Sequence, residues 1–305
     1  MDTELAIIGA GAAGYTAAIY AGRAGIDAVV FDKGAGGGLS TWAPRIENYP
    51  GFQEISGVDL MDKMKDHAEP YAAFRYNEAV TDIQQNGDGF KVTTTKDSYT
   101  AGAVIICTGT TPRQLDVPGE NKLRGRGVSY CATCDGSFFK DKKVAVVGGG
   151  NSAVNEAIYL DGLGADVSII HRRDRLRAEE ALAREIDSKD IEVIWNSVVE
   201  AIKGDTVVEK LSIKNRKTGE TTEQPFDGVF ISVGEQPQSS LAETLGVATD
   251  DHGYIKTGEG QRTNIDGVYA AGDITGGVRQ VITACAEGAT AALTSMHTLG
   301  KSYPF

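Results

Sequence analysis

Long apolar runs are missing from this sequence of 305 residues. A membrane-spanning helix needs about 18 consecutive apolar residues, and no stretch of that length is free of polar residues. The first five residues include two acids, whereas a secretory signal opens with basic residues followed by an apolar stretch. We therefore expect a cytoplasmic protein that does not associate with a membrane.

Positive charge is also scarce. The chain has 30 Lys and Arg residues against 42 Asp and Glu residues, which gives a formal net charge of -12. A surface that binds nucleic acid has to be basic, because its partner is a chain of phosphates. We therefore expect no nucleic acid partner.

Cysteine and histidine are rare, with four residues of each type. A small disulfide-stabilised scaffold needs a much higher density of cysteines. A structural zinc site needs about four ligands, and the scattered histidines supply no second ligand pair, so we expect no metal site. Only one cysteine pair is close in sequence, and the four cysteines are Cys107, Cys131, Cys134 and Cys285.

Two segments of the chain repeat one pattern. Residues 5–32 and 144–171 each read as a buried strand, a glycine-rich turn, a helix and a second buried strand. The distance from the last position of the turn to the end of the second strand is 18 residues in both, from 14 to 32 and from 153 to 171. Apolar runs at 103–109 and 228–234 add one strand to each half, and such runs suit a parallel sheet covered on both faces.

This repetition predicts an α/β protein with two Rossmann-like domains, the second inserted into the first. Proline-containing segments at 112–119 and 236–240 are the candidate linkers. The expected first domain combines residues 1–114 with residues 239–305. The expected second domain is 115–238, and it contains the close pair of cysteines.

The first glycine turn has the residues that a dinucleotide requires. Gly9 permits a tight turn, Gly11 lets a pyrophosphate approach the backbone, and Gly14 lets the helix pack closely on the strand. The phosphates then lie at a helix N-terminus, where free N–H groups favour anions. Asp32, at the end of the second strand, is placed to accept hydrogen bonds from an adenosine ribose.

The second turn has the same form but a different end to its second strand. Where the first repeat has Asp32, this one has His171, followed by Arg172 and Arg173 and then by Arg177. An acid there repels a 2′-phosphate and arginines bind it, so this site predicts NADPH rather than NADH. A solvated basic helix start is the alternative. The residues of the turn that we expect to contact the nucleotide are Gly148, Gly150, Asn151, Ser152 and Ala153.

The close cysteine pair precedes the second turn. Cys131 and Cys134 are separated by two residues, a spacing that permits a small disulfide ring and can lower the pKa of one thiol. Asp135 follows directly, and its carboxyl is a candidate to carry a proton to or from a departing thiolate. The pair is therefore a candidate electron acceptor, with a purely structural pair as the alternative. Cys107 lies in an apolar strand pattern and is interpreted as a small core residue.

Together these residues resemble the low-molecular-weight thioredoxin reductases over essentially the whole chain. Besides the two turns, the cysteine pair and the arginines, the motifs that carry the resemblance are Gly37-Gly38-Leu39, Glu47-Asn48-Tyr49-Pro50-Gly51, Gly272-Asp273 and Arg279-Gln280. The resemblance implies FAD in the first domain, NADPH in the second, and a homodimer. It also implies that electrons pass from NADPH to FAD, then to the cysteine pair as a disulfide, and then to a thioredoxin or glutaredoxin-like protein.

Site residues follow from the resemblance by position. It implies that Cys134 is the thiol nearest the flavin, that Cys131 attacks the disulfide of the partner, and that the arginines at 172, 173 and 177 bind the 2′-phosphate. Many members have glutamine at the position of Leu39, so one FAD contact is expected to be missing. The form Gly37-Gly38-Leu39, followed by Ala43-Pro44, is similar to archaeal members. The further residues implied to hold FAD are Gly38, Leu39, Asn48, Thr108, Gly109, Gly272, Asp273, Arg279 and Gln280.

Two other activities remain compatible with the same motifs. One is a flavin-dependent dithiol oxidase, which does not need a nicotinamide site, so the arginines argue against it. The other is a reductase that uses a different electron donor. A third alternative is the flavoprotein component of a peroxide-reducing system, which normally has an additional N-terminal thioredoxin-like region, whereas this sequence opens with the first repeat. A sensor protein without catalysis is a fourth alternative, and it would not depend on Cys134.

Overall fold

The computed structural model describes residues 2–43, 45–189 and 191–302. Pro44, one of the residues cited for the archaeal resemblance, lies outside these ranges. Within them, no helix is long and apolar enough to span a membrane. The same residues contain no group of three or more His, Cys, Asp or Glu side chains that could hold a metal ion.

Strands and helices alternate at the start of each repeat, whereas six strands follow one another directly at 73–129 and again at 192–237. The strands are β1 (Thr3–Ile8), β2 (Ala28–Phe31), β3 (Ala73–Arg75), β4 (Val80–Asn86), β5 (Gly89–Thr94), β6 (Ser98–Ile106), β7 (Thr110–Pro112), β8 (Val128–Ser129), β9 (Lys143–Gly148), β10 (Asp166–Ile170), β11 (Glu192–Ile194), β12 (Ser197–Lys203), β13 (Lys210–Asn215), β14 (Thr221–Pro225), β15 (Gly228–Ser232), β16 (Glu235–Pro237) and β17 (Val268–Ala270). The α-helices are α1 (Ala12–Arg23), α2 (Gly57–Ala68), α3 (Ala132–Asp135), α4 (Asn151–Gly162), α5 (Glu180–Asp187), α6 (Ser240–Leu245) and α7 (Val281–Thr298). Short 3₁₀ helices span Gly38–Trp42, Glu69–Tyr71, Gly136–Phe139, Glu259–Gln261 and Asp273–Thr275.

The chain divides into two compact units. The first unit comprises Met1–Thr41, Tyr49–Thr111 and Gln236–Phe305, and the second comprises Trp42–Asn48 and Pro112–Glu235. The predicted α/β class with two Rossmann-like sheets is confirmed. Strands β7 and β16, where the chain passes from one unit to the other, pair as a two-stranded sheet. The assignment of one cofactor to each predicted domain stays a prediction.

The first unit is built on a seven-stranded sheet with the order β3-β2-β1-β6-β5-β4, and β17 also pairs with β6. Strands β1, β2, β3, β6 and β17 run parallel, whereas β4 and β5 add an antiparallel edge. Residues 5–8 of β1 and all of β2 are buried, because both faces of these central strands are covered. Helix α1 packs on α7, where a Cβ at Gly288 would lie 2.2 Å from the Ala13 carbonyl oxygen.

The second unit is built on a parallel sheet with the order β11-β10-β9-β15-β8. Alternate residues of β9 face opposite sides of this sheet. Val144 and Val146 pack in a core with helix α4, whereas Ala145 and Val147 pack in a core with the antiparallel sheet β12-β13-β14. The parallel order places the ends of β9, β10 and β15 at one edge, and the second glycine turn leaves from that edge.

Candidate active site

The first glycine turn connects β1 to α1 under tight packing. Gly9 has φ 110°, and a Cβ there would lie 2.3 Å from the Cys107 carbonyl oxygen. A Cβ at Gly14 would lie 1.8 Å from the carbonyl oxygen of Gly9, so the helix sits directly on the turn. A Cβ at Gly11 would meet nothing within 4 Å. Two glycines are therefore fixed by packing, and the middle one faces the open space that a pyrophosphate needs.

Residues predicted to hold FAD gather at the carboxyl edge of the first sheet. Ile8 at the end of β1 is paired with Phe31 and with Ile106, and Ile106 is paired with Ala270. Since these strands are parallel, the residues that follow them share one edge of the sheet. The predicted site residues that follow these strands are Gly9, Asp32, Thr108, Gly109, Gly272 and Asp273.

The Asp32 carboxylate is held by backbone N–H groups. Its Oδ2 accepts from the N–H of Ala10 at 2.8 Å, and its Oδ1 accepts from the N–H of Gly34 at 2.7 Å. Each carboxylate oxygen can accept more than one hydrogen bond. The carboxylate is therefore fixed in position and retains lone pairs for ribose hydroxyls.

A glycine loop lies against the first turn. The N–H of Gly37 donates to the Ala10 carbonyl oxygen at 2.7 Å, and a Cβ at Gly38 would lie 3.5 Å from Gly11 Cα. Gly38 is thus brought beside the middle glycine of the turn. Leu39 follows it and is half-buried. Asn48, which the resemblance implied as a further FAD contact, is exposed and belongs to the second unit.

Two of the predicted FAD residues are fixed by contacts from distant parts of the first unit. The Thr108 hydroxyl donates to the Gln238 carbonyl oxygen at 2.8 Å. The N–H of Gly272 donates to Glu287 Oε2 at 2.7 Å, and the Thr275 hydroxyl donates to the same oxygen at 3.0 Å. Glu287 on α7 therefore holds the turn that carries Asp273.

Arg279 and Gln280 lie at the start of α7. Gln280 is the N-cap residue, and its side chain forms a capping box with Thr283. The Arg279 guanidinium donates to the Tyr254 hydroxyl at 2.8 Å. Both side chains therefore have structural contacts of their own within the first unit.

The second glycine turn repeats the arrangement of the first. A Cβ at Gly148 would lie 2.4 Å from the Ser232 carbonyl oxygen, whereas a Cβ at Gly150 would meet nothing within 4 Å. Helix α4 begins after Gly150 with no side-chain cap and no acid in its first turn, which leaves its N–H groups available to an anion. The Asn151 amide is occupied, because its Oδ1 accepts from the N–H of Glu179 at 2.8 Å and its Nδ2 donates to Glu179 Oε1 at 2.9 Å.

His171 lies beneath this turn. It is 4% exposed, its Nδ1 is 2.7 Å from the Gly148 carbonyl oxygen, and a Cβ at Gly149 would overlap its ring. Burial lowers the pKa of His171, and the charges of Arg173 and Arg177 act in the same direction. A neutral imidazole whose Nδ1–H donates to Gly148 fits this setting, so His171 supports the turn from below.

The arginines after β10 are all exposed. Arg177 also contacts the turn through its backbone, since its N–H donates to the Gly149 carbonyl oxygen at 2.6 Å. Asp174, the acid within this run, pairs with Lys217 at 3.2 Å. Within the part of the chain that the structure describes, no carboxylate pairs with the guanidinium groups of the run, which are those of Arg172, Arg173, Arg175 and Arg177.

The cysteine pair is a disulfide at the start of α3. Cys131 is the N-cap residue, and the Cα atoms of Cys131 and Cys134 are 5.3 Å apart. The N–H of Cys131 donates to Ser129 Oγ at 3.1 Å, and the same hydroxyl donates to Asp135 Oδ2 at 2.5 Å. Burial raises the pKa of Asp135, and the hydrogen bond from Ser129 opposes that shift. Both cysteines are half-buried.

The residue before the disulfide is hydrogen-bonded to the segment at 115–120 of the second unit. The Tyr130 hydroxyl donates to Glu120 Oε1 at 2.7 Å, and Glu120 is fully buried. Glu120 also accepts from the N–H groups of Leu115 at 3.0 Å and Val117 at 3.4 Å. One buried carboxyl therefore links residues 115–120 to the strand that leads into the disulfide.

Comparisons with known proteins agree with this geometry. The family model for pyridine nucleotide-disulphide oxidoreductases matches residues 3–288. The thioredoxin reductase of Bacillus subtilis is 42% identical over 300 residues, which are 96% of this chain and 94% of that protein. The thioredoxin reductase of Listeria monocytogenes is 45% identical over 94% of this chain and 91% of that protein. The crystal structure of thioredoxin reductase from Streptococcus pyogenes has a TM-score of 0.93 at 43% identity and covers 98% of each chain.

The chain belongs to the pyridine nucleotide-disulphide oxidoreductase family. Its relatives within that family are low-molecular-weight thioredoxin reductases, so the resemblance inferred from the motifs is confirmed. The family description joins a pyridine nucleotide to a disulphide, and the second unit contains a glycine turn and a disulfide of its own.

The residues present fit the two cofactors of a flavoprotein in this family. The space over Gly11 and Gly109 in the first unit, and over Gly150 in the second, is open to a Cβ. The carboxylate of Asp32, which follows β2, is bonded to the first turn and has free lone pairs, and the second turn is accompanied by arginines without an acid partner in the described chain. The first set is suited to FAD and the second to NADPH.

The roles of Ser129, Glu120 and Glu287 were not predicted from the sequence. Ser129 contacts the amide of one cysteine and the acid after the other, and Glu287 holds the turn at Gly272. None of the three belongs to a motif that indicates chemistry by its spacing. The position of Ser129 two residues before the cysteine pair was the one available signal, because a hydroxyl that close can reach the backbone of the pair.

Proposed function

We propose that this protein is a thioredoxin-disulfide reductase in which electrons from NADPH reach a thioredoxin-like protein by way of FAD and the Cys131–Cys134 disulfide. The observation that carries the proposal is this disulfide in the same compact unit as a dinucleotide turn flanked by arginines that pair with no carboxylate among the described residues. When bound, NADPH supplies a hydride and FAD converts it into an electron pair for a disulfide. The relatives named thioredoxin reductase support the same activity.

The first unit is proposed to bind FAD. The N–H groups at the start of α1 receive the pyrophosphate beside Gly11, and the Asp32 carboxylate accepts from ribose hydroxyls. Asp273 lies on the turn that Glu287 holds, and it is proposed to face the ribityl and pyrophosphate part. The other residues of the first unit proposed to contact FAD are Gly9, Gly14, Gly38, Leu39, Thr108, Gly109, Gly272, Arg279 and Gln280. Asn48, which belongs to the second unit, is proposed as a further contact on the resemblance alone.

The second unit is proposed to bind NADPH. The N–H groups at the start of α4 receive the pyrophosphate beside Gly150, and Arg172, Arg173 and Arg177 bind the 2′-phosphate. His171 is proposed to support the turn without contacting the nucleotide, because its ring packs directly against Gly149. The remaining proposed contacts are Gly148, Asn151, Ser152 and Ala153.

The disulfide is proposed to exchange with the partner in two steps. The Cys131 thiolate attacks the disulfide of the thioredoxin-like protein, which forms a mixed disulfide and releases one partner thiolate. The Cys134 thiolate then attacks Cys131 Sγ, which restores the intramolecular disulfide and releases the second partner thiolate. Asp135 carries a proton to or from the departing sulfur, a role that its raised pKa supports.

The enzyme is further proposed to be a cytoplasmic homodimer whose partner is a thioredoxin or a glutaredoxin-like protein. Resemblance to the family supports the dimer, and a redox-active dithiol suits a compartment where thiols are kept reduced. Light scattering coupled to size exclusion tests the oligomeric state. A single species with the mass of one chain would contradict the dimer.

An anaerobic titration of the purified FAD-bound protein with NADPH, followed by flavin absorbance, tests the function. We expect bleaching that needs about two equivalents, one for the flavin and one for the disulfide. Cys134→Ser should reduce the requirement to about one, whereas Cys107→Ser, which replaces a buried cysteine outside the disulfide, should leave it at about two. Absence of bleaching would contradict NADPH as donor and would favour a different donor or a dithiol oxidase.

A further inference from the structure

Ser129 contacts both the Cys131–Cys134 pair and the carboxyl of Asp135, which together form the dithiol centre. It ends β8 and is 5% exposed, so bulk water does not compete for its hydroxyl. Ser129 Oγ accepts from the N–H of Cys131 at 3.1 Å and donates to Asp135 Oδ2 at 2.5 Å. The Cys131 carbonyl oxygen is farther from the hydroxyl, at 3.4 Å, so Asp135 is the better acceptor for its single proton.

The pKa of Asp135 is influenced by this hydroxyl and not by any neighbouring charge among the described residues. Burial raises its pKa, the hydrogen bond from Ser129 lowers it, and among the described residues no neighbouring charge contributes. The helix packed against α3 is α4, whose titratable residues are Glu156, Tyr159 and Asp161, and Asp161 pairs with Lys189 at 2.7 Å. The other carboxyl oxygen of Asp135 is buried and has no hydrogen-bond partner in the part of the chain that the structure describes. Apart from the two cysteines, Ser129 is therefore the described group that opposes the effect of burial on this carboxyl.

We propose that Ser129 is a positioning residue of the dithiol centre, whose hydroxyl holds the Asp135 carboxyl so that it gives its proton to the cysteine sulfur that departs when the disulfide opens. The inference deepens the proposed function, because it rests on Asp135 as the proton carrier. It assigns to a buried strand residue a role that the cysteine motif does not include.

The chemistry is the same for any dithiol that opens the disulfide. One thiolate of dithiothreitol attacks one cysteine sulfur, which forms a mixed disulfide and releases the other cysteine as a thiolate. That thiolate takes the proton of Asp135, and the carboxylate left behind keeps the hydrogen bond from Ser129. The second thiol of dithiothreitol loses its proton and closes on the first, so the reagent leaves as a cyclic disulfide with both cysteines reduced.

Loss of the hydroxyl should raise the pH at which Asp135 ionises. A hydrogen bond to a carboxylate favours the charged form, so Ser129→Ala leaves burial unopposed. In a profile of cysteine alkylation rate against pH, we expect the inflection that belongs to Asp135 to move up by about one pH unit. Ser129→Thr keeps the hydroxyl and should restore the original inflection. Ser137→Ala removes an exposed hydroxyl just beyond Asp135 and should leave it unchanged.

The measurement uses the full-length FAD-bound protein. The disulfide is reduced with dithiothreitol, the reagent is removed anaerobically, and iodoacetamide alkylation of each cysteine is followed by mass spectrometry from about pH 5 to about pH 9. The same measurements are made on Asp135→Asn, in which the inflection that belongs to Asp135 should be absent. Thermal unfolding of each variant checks that it folds.

The decisive variant combines Ser129→Ala with Asp135→Asn. If Ser129 acts through Asp135, then Ser129→Ala shifts the profile in the wild-type background and has no further effect when Asp135 is Asn. An unchanged profile in Ser129→Ala, or an equal shift in the Asn background, would overturn the proposal even where the Thr variant does not fold. Thioredoxin reduction is assayed separately. If it is absent while the Ser129-dependent shift is present, only the proposed function is contradicted.

Discussion

Gly11 and Gly150 occupy the same position in the two turns, and neither is required by packing, because a Cβ at either would meet nothing within 4 Å. Gly14 differs, since its Cβ would lie 1.8 Å from a backbone oxygen. A backbone atom cannot move aside as the end of a flexible side chain can. Glycines of one motif therefore serve either the fold or the ligand, and substitution can separate the two.

The first prediction compares Gly14→Ala with Gly11→Ala. We expect Gly14→Ala to lower the free energy of unfolding by about 3 kcal/mol or more, because the helix has to move away from the turn. Gly11 has φ -94°, which alanine adopts readily, so Gly11→Ala should change stability by less than about 0.5 kcal/mol. It should nevertheless weaken FAD binding at least about tenfold, because the methyl group occupies the approach of the pyrophosphate.

Denaturant unfolding of the apoprotein and the ratio of flavin to protein absorbance measure the two effects independently. If Gly11→Ala retains FAD with unchanged affinity, then this turn does not bind the pyrophosphate. If Gly14→Ala is as stable as the wild type, the packing argument is wrong.

The second prediction concerns Arg173. Arg173→Gln should raise the KM for NADPH about tenfold or more and leave the KM for NADH within about twofold, since only NADPH carries the 2′-phosphate. Arg184→Gln is the matched control, because Arg184 is also exposed but pairs with Glu180 at 2.9 Å. Steady-state kinetics with both nucleotides distinguishes the variants. Equal losses with NADPH and NADH would contradict a 2′-phosphate site.

Residues whose chemistry depends on near neighbours in sequence could be predicted. The cysteine spacing predicted the disulfide, and the apolar run at 103–109 predicted a buried Cys107, which is 8% exposed. His171 is different, because its grouping with the arginines gave no sign that its ring lies under Gly149. That placement depends on how β10 pairs with β9, and sequence spacing alone does not define this contact.

Helices α1 and α7 show how elements that are distant in sequence pack together behind the first glycine turn. They are separated by more than half of the chain, yet they pack so closely that Gly288 faces the Ala13 carbonyl oxygen. Cys285, one turn before Gly288, also contacts α1, with its Sγ 3.9 Å from the Ala12 carbonyl oxygen. The C-terminal helix thus supports the first glycine turn from behind.

The third prediction is that Gly288→Ala disrupts this helix pair. Its new Cβ would lie 2.2 Å from a backbone oxygen, so we expect a loss of about 1–3 kcal/mol in the free energy of unfolding and weaker FAD binding. Gly162→Ala is the control, because Gly162 ends α4 with nothing within 4 Å of the added Cβ. That variant should be as stable as the wild type or more stable. Urea unfolding of both measures the difference, and equal stability would contradict close packing of α1 on α7.

Elements with a strong repeating pattern were predictable, and others were not. The two strand–turn–helix–strand segments were predicted because apolar runs, glycines and spacing all agree. The antiparallel sheet β12-β13-β14 was not predicted, although it covers one face of the second sheet with residues such as Leu211 and Ile213. Strand β13 alternates polar and apolar residues, whereas β12 does so irregularly and β14 has no large apolar residue. The three strands contain no chemical motif, so only the packed structure reveals what they cover.

The whole molecule consists of two units, each with its own core. The first unit buries Ile8, Phe31 and Ile106 in one cluster, and the second buries Val146 and Phe230 in another. Both units have sizes that single domains commonly have. Since the chain passes between them only near residues 42, 48, 111 and 235, each unit is a candidate to fold alone.

The fourth prediction is that the two units, prepared as separate proteins, each bind their own cofactor. Replacing residues 112–235 by a short Gly-Ser loop that joins Thr111 to Gln236 should leave a protein that folds and binds FAD but shows no bleaching by NADPH. Residues 112–235 alone should keep the Cys131–Cys134 disulfide and bind 2′,5′-ADP without FAD. This piece lacks Trp42, whose ring lies 3.9 Å from the Arg124 guanidinium, so its stability should be somewhat lower than in the full chain. Flavin absorbance and calorimetry with 2′,5′-ADP measure both parts. A piece that binds the wrong cofactor would contradict the assignment of FAD to the first unit and NADPH to the second.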